Sequence, residues 1–192
     1  MTNLYFVRHA HSIYTPDEME RPLSEKGFND AKRITDLFKN QNVDVVLSSP
    51  YKRAIQTVEG IADYFNKEIE YVEDFKERIL TTGPAEDFNH AITKVWEDEN
   101  FHWEGGETNR FAQDRGVKAT LDVIEKYPNK NIVIGTHGNL MVLIMNYFDR
   151  KYDFTFWKSL DMPDVYKLTF EGNGLIKAER LWNRELLSSA GR

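Results

Sequence analysis

Cysteine is absent from this sequence. That excludes disulfides, thiolate zinc sites and a cysteine nucleophile. Proline and glycine are sparse, at 6 and 11 of 192 residues. No Pro/Gly/Ser-rich linker, internal repeat or low-complexity tract interrupts the chain, so a single domain over residues 1–192 is expected. Long apolar runs are missing as well. The longest, Leu140 to Met145, falls far short of the ~20 residues that span a bilayer. The opening Met1 to Val7 has neither the basic start nor the apolar core of a secretory signal. A reducing, cytoplasmic setting fits these absences, and no membrane partner is expected. Positive charge is also in deficit: 25 Lys and Arg face 31 Asp and Glu, a net charge of -6. An evenly acidic surface repels nucleic acid. A small anionic ligand would therefore need a local cationic pocket.

What is present alternates between two periodicities. Leu4 to Val7, Val43 to Leu47, Ile69 to Val72 and Ile132 to Gly135 are short apolar runs with strand-forming side chains. Helical spacing separates them. Phe28, Ala31, Ile34, Leu37 and Phe38 follow Ser24, which predicts a capped helix with Leu23 stapled to Phe28. Ser49-Pro50 predicts another start, with Ser49 as cap and Ala54, Ile55, Val58, Ile61, Ala62 and Phe65 on one face. Residues 85–97 can hold a helix, Val117, Leu121 and Ile124 mark one that ends at Tyr127-Pro128, and the apolar stretch after Asn139 reads as a buried helix. Val165 to Phe170 and Leu175 to Leu181 flank Gly172-Asn173-Gly174 as a hairpin. The alternation predicts a three-layer α/β fold with a mostly parallel central sheet and an antiparallel edge.

Polar residues sit at the ends of three of these strands: Arg8-His9, Ser48-Ser49 with Arg53 one turn on, and His137. In open α/β sheets ligands bind beyond the carboxyl ends of the strands. Two arginines, two histidines and a helix N-terminus would make an anion site there, and the planar guanidinium suits phosphate oxygens. A neutral imidazole can attack phosphorus, and cations stabilise the spread charge of the transition state. A leaving alkoxide also needs a proton. Glu73, Asp74 and Glu77, just beyond the third strand, are the candidate acids.

These residues carry a family resemblance. Arg8-His9-Ala10-His11-Ser12 resembles the Arg-His-Gly motif of the histidine phosphatase superfamily, the phosphoglycerate mutase-like family. Arg21 to Gly27, Ser48 to Thr57, Gly105-Gly106-Glu107-Thr108 and Thr136-His137-Gly138 are similar to further blocks, in family order. The resemblance implies a phosphoglycerate mutase-like fold and phosphomonoester hydrolysis, with no metal and no cofactor. It implies that His9 forms a phosphohistidine, that Arg8, Arg53 and His137 hold the phosphoryl oxygens, and that Glu77 is the proton donor. His11, Ser12 and Gly138 would line the substrate site. Two positions depart from the pattern: Ala10 replaces a glycine, and Asn139 stands where many members have a second glycine.

Other readings remain at this level. A phosphoglycerate mutase would return the phosphoryl group to a second hydroxyl, but this compact chain favours a phosphatase acting on a small phosphorylated substrate. His9-x-His11 also resembles a metal pair, although Arg8 and Arg53 would repel a cation and the (β/α)8 barrels that use such pairs run to ~250 residues. A non-catalytic phosphate-ligand sensor could dispense with the nucleophile and the acid. His90 and His102 read as ordinary polar residues. Oligomeric state is not legible.

Overall fold

Strand β1 (Thr2–Arg8) runs through a six-stranded sheet. Its side chains alternate between two buried clusters, with Leu4 and Phe6 in one and Tyr5 and Val7 in the other. Both faces are covered, which is why Leu4 to Val7 reads as a continuous apolar run and not as an alternating one. The same division recurs on β2 (Val45–Ser48), where Val46 and Leu47 part company, and on β4 (Asn131–Thr136), where Val133 opposes Ile132 and Ile134. With β3 (Ile69–Tyr71), β5 (Asp164–Glu171) and β6 (Gly174–Arg180), the strand order is β3-β2-β4-β1-β5-β6. The first four are mutually parallel, and β5 and β6 add the antiparallel edge. This is a computed structural model, and it describes residues 1–185.

Helices α1 (Glu25–Phe38) and α2 (Lys52–Tyr64) supply Ile34, Phe38, Val58 and Ile61 to one face of the sheet. Helix α3 (Phe88–Glu97) precedes α4 (Asn109–Lys126) and α5 (Gly138–Phe148), which cover the other face with Ala119, Val123, Ile124, Leu140 and Ile144. A short α6 (Phe154–Ser159), capped by Asp153, leads into β5. The three layers match the α/β architecture expected from the alternation of periods. Among the described residues no helix is long and apolar enough to cross a membrane.

Several local expectations are corrected. Helix α2 begins at Lys52 with Tyr51 as its cap residue, and Ser49 is not the cap. The Ser49 hydroxyl accepts from Tyr51 N at 3.2 Å, one residue before the helix, and also lies 2.8 Å from His137 Nε2. Ser24 does cap α1, accepting from Gly27 N, but the staple does not form as expected. Leu23 is buried with Ala10 and Ala31, while Phe28 stays exposed. Helix α3 starts three residues later than expected, at the Asp87 cap, and α6 was not foreseen from the sequence.

Register places the site. Arg8 lies opposite Thr136, and Ser48 opposite Gly135. The carboxyl ends of β1, β2 and β4 therefore finish side by side, and the residues that follow each of them emerge together.

Candidate active site

His9 leaves β1 at this edge and is almost fully buried. Its Nδ1 lies 2.7 Å from the Ala10 carbonyl oxygen, so Nδ1 carries the proton and donates to it. Nε2 thereby keeps its lone pair, onto which Arg53 Nε donates a long hydrogen bond of 3.4 Å. Burial and the Arg53 charge push the His9 pKa down to about 3. The imidazole is thus neutral across the physiological range, as a nucleophile must be. The loop beyond it is anchored by Ala10 N, which donates to Thr57 Oγ1 on α2 at 3.0 Å.

His137 follows β4 and is wholly buried, its ring centroid 5.2 Å from that of His9. Burial, then Arg53, holds its pKa well below the ordinary value. Tyr51 packs edge-on against this ring at 5.1 Å and lies under the Arg53 guanidinium at 4.9 Å. Arg8 reaches across the start of α5. Its Nη1 donates to the Asp161 carbonyl at 3.2 Å. A Cβ on Gly138 would stand 2.7 Å from Arg8 Nε, so only glycine lets the guanidinium lie there. Arg53 is buried, yet it remains charged as a guanidinium must.

Two carboxylates border this cationic floor. Glu77 Oε1 accepts from Arg78 N at 2.9 Å and Leu140 N at 3.0 Å, and Oε2 accepts from Asn139 N at 3.1 Å. Two of these donors are orphan amides at the N-terminus of α5, and Oε2, with one amide donor, keeps a lone pair that can carry a proton. Asn139 thus serves through its backbone, and its side-chain oxygen accepts from Trp96 Nε1 at 3.1 Å. Glu73 and Asp74 are exposed, and Glu73 pairs with Lys76 at 3.1 Å. The second carboxylate is Glu18. Its backbone oxygen accepts from Arg53 Nη1 at 2.8 Å, and its Oε2 accepts from Nη2 at 3.0 Å. Arg21 pairs with the other carboxylate oxygen and lies over the Tyr14 ring at 4.8 Å.

The structure therefore brings Arg8, His9, Arg53, His137, Gly138 and Glu77 to one edge. His11 is placed differently: it is exposed, with Nδ1 2.7 Å from Ser24 Oγ at the cap of α1. Ser12 makes an isolated bridge with Leu23. Among the described residues no group of three or more His, Asp or Glu side chains is disposed to hold a metal ion. Sequence reasoning missed Ser49, Tyr51 and Thr57 as parts of the site, although all three lie within the block Ser48 to Thr57. Glu18 and Arg21 were missed for a different reason. The chain from Ile13 to Pro22 is irregular, and no periodicity says where its charges point.

Comparison with known proteins gives the family and the fold. The model of the histidine phosphatase superfamily (branch 1) matches residues 4–184. The chain is 31% identical over 144 residues to the uncharacterized phosphatase PhoE of Bacillus subtilis, covering 72% of each. It is 29% identical over 156 residues to phosphoserine phosphatase 1 of Hydrogenobacter thermophilus, covering 71% of each. Among solved structures, phosphoserine phosphatase from Entamoeba histolytica, in complex with 3-phosphoglyceric acid, superimposes with a TM-score of 0.78. That match spans 97% of this chain and 100% of the other at 22% identity, which speaks for the fold.

Proposed function

The chain belongs to the histidine phosphatase superfamily, branch 1, and from that premise we propose that it hydrolyses small phosphomonoesters through a phosphohistidine on His9. The observation that carries the reading is the His9 ring itself, its Nδ1 proton held by Ala10 at 2.7 Å and its Nε2 lone pair left beside Arg53. The Nε2 lone pair attacks phosphorus and a P–N bond forms. The P–O ester bond breaks, and the leaving oxygen takes a proton from the Glu77 carboxyl. The ring becomes cationic when phosphorylated, and the Ala10 carbonyl stabilises the Nδ1 proton through that change. Arg8, Arg53 and His137 hold the equatorial oxygens. Ser49 Oγ lies 2.8 Å from His137 Nε2 and Nδ1 has no partner among the described residues, so the tautomer with its proton on Nδ1 is the one that can donate to a phosphoryl oxygen.

In the second half, Glu77, now a carboxylate, takes a proton from water. The water oxygen bonds to phosphorus, the P–N bond breaks, and the electron pair returns to Nε2. Phosphate leaves and Glu77 is protonated again. No step calls for a metal. The reading takes residues 1–192 as one domain and the substrate as a small phosphorylated molecule. Phosphoserine and 3-phosphoglycerate, named for the relatives, are the first to try.

The test is hydrolysis of a phosphomonoester panel, with and without a chelator, by the parent and by His9→Ala. Activity should resist the chelator and fall by at least about 10³-fold in the variant. A trapped phosphoenzyme should be acid-labile and absent from His9→Ala, and product analysis distinguishes water from a second hydroxyl as acceptor. Full activity of His9→Ala would end the nucleophile assignment.

A further inference from the structure

The chain around Glu77 has no regular secondary structure to hold it: between the 3-10 turn at Glu73–Phe75 and α3, no helix or strand is formed. Backbone carbonyls in such a segment need partners from elsewhere. Around Glu77 one side chain meets three of these carbonyls. Arg115, on α4, donates through Nη1 to the carbonyls of Asp74 at 2.8 Å and Lys76 at 3.0 Å, and through Nη2 to that of Glu77 at 3.2 Å. The same guanidinium forks onto Glu107, with Nε on Oε1 at 2.8 Å and Nη2 on Oε2 at 3.0 Å. Both side chains are nearly buried, 9% and 11% exposed.

Glu107 completes the frame from the opposite side. Its Oε2 accepts from Ile79 N at 2.8 Å, and its own N donates to Ile79 O at 2.7 Å. Its carbonyl accepts from Arg78, whose other terminal nitrogen donates to Asn109 Oδ1 at 2.6 Å. Burial pushes the Glu107 carboxyl up, but its bonds to Arg115 and Ile79 bring it net below its usual value. Residues 74–79 are thus gripped on both sides of Glu77 by one ion pair.

We infer that Arg115 and Glu107 are the positioning residues for the proton donor Glu77. The inference rests on the proposed role of Glu77. Neither side chain touches a reacting atom. They fix the backbone of Glu77, while the amides of Asn139 and Leu140 fix its carboxylate. A planar guanidinium is suited to this task because its donors diverge in fixed directions to several acceptors at once. A lysine could pair with Glu107 but could not serve three carbonyls as well. A donor misplaced by about 1 Å loses much of its effect.

Leaving-group dependence separates positioning from general support. An alkyl phosphate needs its leaving oxygen protonated, whereas p-nitrophenyl phosphate departs nearly unaided. We would measure kcat/KM, which reports phosphorylation of His9, for both esters in the parent, Glu77→Gln, Arg115→Lys and Glu107→Gln. Glu77→Gln should lose about 10²-fold or more on the alkyl ester and few-fold on the aryl ester. Arg115→Lys and Glu107→Gln should show the same selective loss, about 10-fold or more on the alkyl ester alone. Equal loss on both esters, or no loss, in these two variants would overturn the positioning role even where Glu77→Gln behaves as expected. An unselective Glu77→Gln would instead remove the acid assignment on which the inference stands. Glu107→Gln is isosteric and keeps the packing if Arg115→Lys fails to fold. In Arg115→Ala, added guanidinium ion should restore the alkyl-to-aryl ratio, a rescue that a role in stability alone does not give.

Discussion

Glu77 and Glu18 are both carboxylates at the mouth of one cationic pocket, and they are held in opposite ways. Glu77 is tied by three backbone amides on a segment that Arg115 and Glu107 grip from both sides. Among the described residues Glu18 is tied through its carboxylate only to the side chains of Arg53 and Arg21, on an irregular loop, with its own side chain 55% exposed. Backbone donors at a helix terminus are fixed before any ligand arrives. The exposed Glu18 carboxylate is screened by solvent and has no backbone donor among the described residues to hold it in place. One carboxylate is therefore part of the fixed frame. The other holds Arg53 Nη2 while the Glu18 backbone carbonyl holds Nη1, so a phosphoryl group using these nitrogens would displace or share them.

The predictions that test this contrast differ in size. The largest effect belongs to Glu77. Its isosteric change to Gln should lower alkyl phosphate turnover by about 10²–10⁴-fold with little effect on binding, as steady-state kcat and KM would show. A KM effect of the same size would mean that Glu77 binds substrate more than it moves protons. Next comes Gly138→Ala. The added Cβ has no room beside Arg8 Nε, at 2.7 Å, and the Arg8 guanidinium must shift. A rise in KM of about 10-fold is expected, since a displaced guanidinium loses a bond to the charged phosphoryl group worth roughly 1.5–3 kcal/mol. An unchanged KM would show that Arg8 does not need that position.

The fixed frame also has a pH signature. His9 has a folded pKa near 3, below the unfolded value of 6.5. The unfolded chain therefore binds the proton more readily between these values, and stability falls as pH drops through that window. It is fully present above about pH 6.5. The expected slope is ~1.4 kcal/mol per pH unit for each such histidine, and His137 is displaced in the same direction. Urea titrations from pH 7 to 4, compared with His9→Ala, measure it. Ring nitrogen NMR should show neutral His9 at pH 5, and titration near 6.5 would contradict the buried nucleophile. The smallest effect is reserved for Glu18→Gln. Freeing Arg53 and Arg21 should lower KM, and the inhibition constant of inorganic phosphate, by about 2- to 5-fold. A rise in either would place Glu18 with Glu77, as a support for the pocket and not a competitor.

Much of the frame was legible from residues alone because strands and helices write their period into the chain. Leu4 to Val7 and Ile132 to Gly135 announce buried parallel strands, and the polar residue that ends each run announces the sheet edge where ligands bind. The contacts between those ends were not legible. Ser49 looked like a cap for α2, a local role, and instead meets a histidine 88 positions away. Arg115 belongs to none of the matched blocks and lies in a helix marked in the sequence only by its apolar spacing, yet it organises the segment that carries Glu77.

By itself the sequence determined the order of elements, the three-layer α/β class and the inventory of chemistry: imidazoles, guanidiniums and nearby carboxylates, with no thiol. Tertiary structure decided which of Glu73, Asp74 and Glu77 faces the start of α5, which nitrogen of His9 is left open, and which anion sits on Arg53. The physical reason is range. Periodicity is a property of neighbours along the chain, whereas a pocket is made by side chains that meet only after the sheet has set its register.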